Sequence, residues 1–166
     1  MPFPLYHLGP SAFFGLTFRK WLDVPVLVLA NIVVDAEVLL NHHHWLAHTL
    51  LGGAAVGAIW GIAAHPLRHF FEKIMQMLHI PYQTSFWKMA VSGILGVWLH
   101  VVLDAIYHPD VRIFWPSRVN PLWQLISQKQ VEILCVVFFI AAAIAYAFAA
   151  ASYMKQKKAN PDKTQG

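Results

Sequence analysis

Apolar residues in this chain come in long blocks, not in the alternation of a half-buried strand or the stripe of a soluble helix. The longest block is 131–154, whose only charge is Glu132 near its start. About 20 apolar residues suffice to cross a bilayer, so this block spans one on length alone. A second block covers 48–64 and stops at His65-Pro66, with small residues recurring at Gly53, Gly57 and Gly61. Such a doubled GxxxG lets another helix approach closely, within one chain or in a homo-oligomer. A third block, 86–107, is apolar apart from Lys88, His100 and Asp104. Two shorter stretches, 10–18 and 24–40, come first, split by Arg19, Lys20 and Asp23. Five helices are expected, the first two forming a short hairpin. They make one membrane-embedded all-α domain over 1–154. Residues 155–166 are polar and basic and are expected to form a disordered cytoplasmic tail.

Composition narrows the class. Of 166 residues, 58% are hydrophobic and only 12% charged, about half the charge of an ordinary soluble domain. Intrinsic disorder is excluded by the apolar content, and a disulfide scaffold by the single cysteine, Cys135, read as a small core residue. No Lys or Arg precedes Arg19, so no cleaved signal is expected. What remains is a polytopic integral membrane protein.

Charge placement suggests the sidedness. With the basic tail inside and five helices threaded alternately, Arg19, Lys20, Arg68, Lys73, Lys88 and the tail lysines are cytoplasmic, while Arg112, Arg118 and Lys129 are outside. An inner (cytoplasmic) membrane location with a cytoplasmic C-terminus follows. The net charge of +4 then reflects sidedness and calls for no nucleic-acid partner.

Ten histidines, more than the eight Asp and Glu together, sit badly with lipid. The same threading sends His7, Asp35, Glu37, His42, His43, His44, His48, His100, Asp104, His108 and Asp110 to one outward-facing end of the bundle. Ionisable groups at membrane depth are costly and usually face partners or a cavity. Imidazoles and carboxylates together suit zinc or another first-row divalent metal. His100 and Asp104 share a helical face at i, i+4, as do Asp104 and His108, and His44 and His48. Asp35 and Glu37, two apart, cannot both face inward on a regular helix; one of them is expected to be an outer carboxylate, a general base or a loop ligand. So many candidates allow two or more ions, a standard device for phosphoester hydrolysis. Glu37 and Asp110 are the candidates for proton handling, and Arg112 and Arg118 for substrate phosphate. His42, His65, His69 and His79 need no special role, and Trp45, Trp98, Trp115 and Trp123 are read as interfacial belt residues. No HExxH, GxSxG, P-loop or dinucleotide fingerprint occurs.

Several short segments carry a family resemblance. They are Tyr6-His7-Leu8-Gly9, Val34-Asp35-Ala36-Glu37, His43 followed by His48-Thr49, Leu99-His100 through Asp104, and Phe114-Trp115-Pro116. From Tyr6 to about Pro121 the chain resembles the YdjM-like family of membrane-bound metal-dependent hydrolases. That family is similar to zinc-dependent phospholipases C and P1-type nucleases, all-helical enzymes with a clustered His and Asp metal site. The resemblance implies His7, Asp35, His43, His48, His100 and Asp104 as metal ligands, with His44 and His108 as further candidates. It also implies a hydrolase acting through metal-activated water on the phosphoester of a lipid or lipid-linked substrate. Glu37 stands where the family often has a second Asp, and Tyr107-His108-Pro109-Asp110 where a Thr-Pro turn is usual. Two other classes compete: a histidine-rich redox metalloprotein of di-iron or haem type, and a metal or proton transporter.

Overall fold

The computed structural model describes residues 4–41 and 46–159. Six α-helices occur among them: α1 (Leu8–Thr17), α2 (Val24–Asn41), α3 (Leu50–Ala63), α4 (Arg68–Met77), α5 (Phe86–Tyr107) and α6 (Gln128–Ala159). Short 3-10 turns at Pro4–His7, Leu46–His48 and His65–Leu67 lead into α1, α3 and α4. No strand is found among the described residues.

α5 and α6 are each long and apolar enough to cross a membrane. A third crossing is available from α3 and the following His65–Met77 segment, which bend by 42° at the break. At ten residues α1 measures about 15 Å, half the hydrocarbon thickness of a bilayer. α6 continues five residues past the expected end at Met154, so the basic segment is helical as far as Ala159.

α4 is the element missing from the sequence expectation, which had a cytoplasmic loop there. Its apolar positions are interrupted by Arg68, His69, Glu72, Lys73 and Gln76, so no continuous apolar block marks it. Phe71 and Met75, one turn apart, are buried against the bundle, while Phe70 and Met77 stay exposed. That is the pattern of an amphipathic helix lying along a surface.

α5 is the axis on which α2 and α3 assemble, and its small residues explain why. A Cβ on Gly93 would stand 2.0 Å from the Gly57 carbonyl oxygen of α3, and one on Gly96 would stand 2.4 Å from the Leu27 carbonyl oxygen of α2. On the α3 side, a Cβ on Gly57 or Gly61 would meet the α5 backbone at 2.5 or 2.4 Å. The GxxxG face is thus used inside the chain, against α5. Above these contacts Val34, Val97, Val101 and Ala105 form the apolar floor under the C-terminal end of α5. α6 packs mainly on α1, where Gly9 admits Phe139 and the Cys135 carbonyl.

Candidate metal centre

The packing of α2 and the Leu46–His48 turn around α5 decides which polar groups meet. On α5, Gly93, Gly96, His100 and Asp104 fall three, four and four residues apart, along one face. The glycines draw the neighbouring helices close, and two turns later the same face presents an imidazole and a carboxylate. On α2, Leu27 touches Gly96 and Asp35 follows eight residues, about two turns, later, so the helix that touches Gly96 delivers Asp35 to His100.

Four residues converge there: Asp35, His48, His100 and Asp104 each offer a donor atom, all within 4.8 Å of one another. His100 Nε2 lies 3.0 Å from Asp104 Oδ2 and 3.2 Å from Asp35 Oδ1. His48 Nε2 lies 3.6 Å from Asp104 Oδ2. Ligand atoms arranged tetrahedrally about zinc at its usual bond lengths stand about 3.3 Å from each other. The observed separations bracket that value. Asp35 Oδ1 is buried and, despite its 3.2 Å approach to His100, makes no hydrogen bond of good geometry. His100 Nε2 already pairs with Asp104 Oδ2, so Asp35 Oδ1 is left as a buried acceptor that a shared cation would satisfy. His48, His100 and Asp104 are fully buried and the Asp35 side chain is 13% exposed, so the group opens on the Asp35 side.

His7 adjoins this group. Its Nε2 is 3.2 Å from Asp104 Oδ1, and its ring stacks on His100 with centroids 4.3 Å apart. Glu37 is turned the other way along α2. Its Oε1 accepts the Ala47 N–H at 3.0 Å, and its Oε2 lies 3.0 Å from His48 Nδ1. The sequence reading paired Glu37 with Asp110 for proton handling. In the structure both its oxygens contact the His48 segment, because Asp35 and Glu37 leave α2 in different directions.

Two helical-face expectations need correcting. His48 lies in the 3-10 turn before α3, which starts only at Leu50 because Thr49 caps it: its backbone is extended and its hydroxyl accepts the Gly52 N–H. His108 is at the C-cap of α5 with extended backbone (φ −114°, ψ 128°), so the face of His100 and Asp104 does not continue to it. The structure does not bring His108 into the four-residue group. Asp110 is exposed just beyond α5, and Arg112 and Arg118 are exposed on the loop that follows. Buried Val111 and Ile113 flank Arg112 and pin that loop to the core, helped by the Leu50 N–H donating to the Ile113 carbonyl. His43 and His44 lie outside the described residues.

A family model for the YdjM inner membrane protein family matches residues 18–159. The chain belongs to this family. The match extends through α6, well past the Pro121 limit of the motif resemblance, and begins after His7. Membership and the apolar helices together make it an integral membrane protein. No curated protein and no solved structure matches the chain significantly, so the likeness to phospholipases C and P1 nucleases has no support from these comparisons.

Sequence reasoning missed one buried polar centre, around Asp23. Asp23 Oδ1 accepts the Val26 N–H at 3.1 Å, capping α2. Its Oδ2 accepts the Tyr82 hydroxyl at 2.7 Å and the Thr84 hydroxyl, while its own N–H donates to Ser92 Oγ at 2.7 Å. Asp immediately before an apolar helix is an N-cap signal and was there to be read.

Proposed function

We propose that this family member is a membrane-embedded, metal-dependent hydrolase that cleaves a phosphoester of a lipid or lipid-linked substrate, with its site opening on the outer face. The buried Asp35–His48–His100–Asp104 group carries the reading. Two carboxylates and two imidazoles match a divalent cation in charge and donor type, and zinc is the ion they suit best. A zinc ion supplies Lewis-acid polarisation of a phosphoryl oxygen and a lowered pKa for water.

The chain's own residues do the rest. Glu37 holds the His48 ring through Nδ1, which leaves Nε2 directed at Asp104. His7 packs over His100 and screens that flank, so access is from the Asp35 side. Asp110, exposed just beyond α5, takes up or returns a proton, and Arg112 and Arg118, on the loop that follows, engage substrate phosphate. A site about 10 Å inside the ends of α2 and α5 suits a phosphate presented from the membrane interface.

The test is release of phosphate from phosphatidic acid and of glycerol phosphate from phosphatidylglycerol in mixed micelles. Zinc-loaded protein should turn over one of them, and chelation or Asp104→Asn should abolish it. Protein that holds stoichiometric metal yet releases nothing from lipid or soluble phosphoesters would contradict the hydrolase reading. Metal uptake into sealed vesicles would then favour transport.

A further inference from the structure

The opposite end of α5 carries a second polar feature. A cavity of about 520 Å³ opens among the α1–α2 turn, α4, the 78–85 link and the end of α6. Arg19, Lys20 and Lys88 line it, with Glu72 as the lining carboxylate and Tyr82 and Gln156 as neutral polar walls. Lys88 lies 16 residues before Asp104 on the same helix, about 24 Å away, so the cavity is separate from the metal centre.

The cations are built in. Lys88 Nζ donates to the Arg19 carbonyl at 2.8 Å and to the Gln83 carbonyl, which ties the α1–α2 turn to the link before α5. Arg19 is anchored by its own bond to the Leu16 carbonyl at 3.2 Å. Asp23 lies behind the wall, fully buried, and its oxygens are taken up by Tyr82, Thr84 and the Val26 N–H. Even with Asp23 behind the wall counted beside Glu72, three cations face two carboxylates, which leaves a net positive cavity.

Its surroundings identify the anion's source. Trp21 is 70% exposed and Trp87 75%, next to Lys20 and Lys88 in sequence, and Phe70 and Met77 are exposed on the amphipathic α4. Exposed tryptophans beside cations mark the headgroup level of a membrane, and an amphipathic helix alongside fits the same level. We infer that this cavity binds the phosphate of an anionic phospholipid headgroup, held by Arg19, Lys20 and Lys88. The lipid tails lie along the apolar side chains of α4 and the start of α5.

Binding to the full chain in neutral detergent tests this by native mass spectrometry, with phosphatidylglycerol, phosphatidylcholine, glycerol phosphate and inorganic phosphate as probes. Phosphatidylglycerol should bind in preference to the other three. Each surface cation contributes about fivefold, so Arg19→Gln with Lys20→Gln should weaken it about 25-fold. The charge-conserving pair Arg19→Lys with Lys20→Arg should retain binding, as should Lys157→Gln with Lys158→Gln on the exposed end of α6. Both neutralised residues are on a surface turn, so the fold should persist, checked by helix content and elution volume. Unchanged lipid binding in the Arg19/Lys20 variant, or equal loss in the Lys157/Lys158 variant, would overturn the site. Glycerol phosphate or inorganic phosphate binding as tightly as the lipid would overturn the lipid as its source.

Discussion

Nε2 of His100 on α5 lies 3.2 Å from Oδ1 of Asp35 on α2, although 65 residues separate them in the chain. The approach depends on Gly96, one turn earlier on α5, where a side chain would collide with the Leu27 carbonyl of α2. Packing of small residues and assembly of the polar group are thus one structural event.

Enlarging the α3–α5 contact should therefore disturb both. Gly93→Ala places a methyl 2.0 Å from the Gly57 carbonyl oxygen, and backbone cannot yield cheaply there. The expected cost is about 2 kcal/mol, with a lower Tm in detergent. Metal affinity should fall as well, because the start of α3 and the His48 turn are displaced with it. Gly52→Ala, whose Cβ would meet the Leu46 carbonyl oxygen at 1.9 Å, should act more directly on the His48 turn.

Glu37→Gln tests the positioning role. The amide still accepts from Ala47 but no longer offers a charged acceptor to His48 Nδ1. Metal stoichiometry should persist while affinity falls roughly 10- to 100-fold, measured by competition with a chelator. Loss of all metal would instead make Glu37 a ligand.

Tyr82 offers a pH-dependent readout at the other end. Burial, reinforced by the hydrogen bond to Asp23 and its charge, holds the phenol well above the ordinary tyrosine value. The unfolded chain ionises this tyrosine first, near its usual pKa of about 10. The contribution to stability is therefore complete below pH 10 and is lost as pH climbs from there toward the folded-state value. Alkaline absorbance titration should show one phenol lagging the others, and Asp23→Asn should advance it. A Tyr82→Phe variant with an unchanged alkaline unfolding profile would rule this out.

Cysteines introduced at Arg118 and Lys157 flank α6 at its two ends. Membrane-impermeant reagents should label the first from outside and the second from inside in intact and inverted vesicles, respectively. Labelling from one side would refute the crossing by α6.

Much of this was legible from pattern. Long apolar blocks located α3, α5 and α6, and the i, i+4 spacing of His100 and Asp104 marked their shared face. α4 was not legible as a block because half its positions are polar, and its docking through Phe71 and Met75 is a tertiary fact. His48 was placed on a helix because spacing alone does not reveal that Thr49 caps α3 one residue later. That Asp35 and Glu37 diverge followed from their two-residue offset, but that Glu37 meets Ala47 and His48 is a tertiary fact. The glycines were recognised as a contact face, but which helix they contact is a tertiary fact.

Metal content of the purified protein, by elemental analysis of wild type beside Asp35→Ala, His100→Ala and Asp104→Ala, addresses the metal centre most directly. Wild type should retain at least one equivalent of a divalent transition metal, zinc first, and each variant should lose most of it while keeping its helix content. Wild type without metal after growth and purification in supplied zinc, or full retention in all three variants, would contradict the centre.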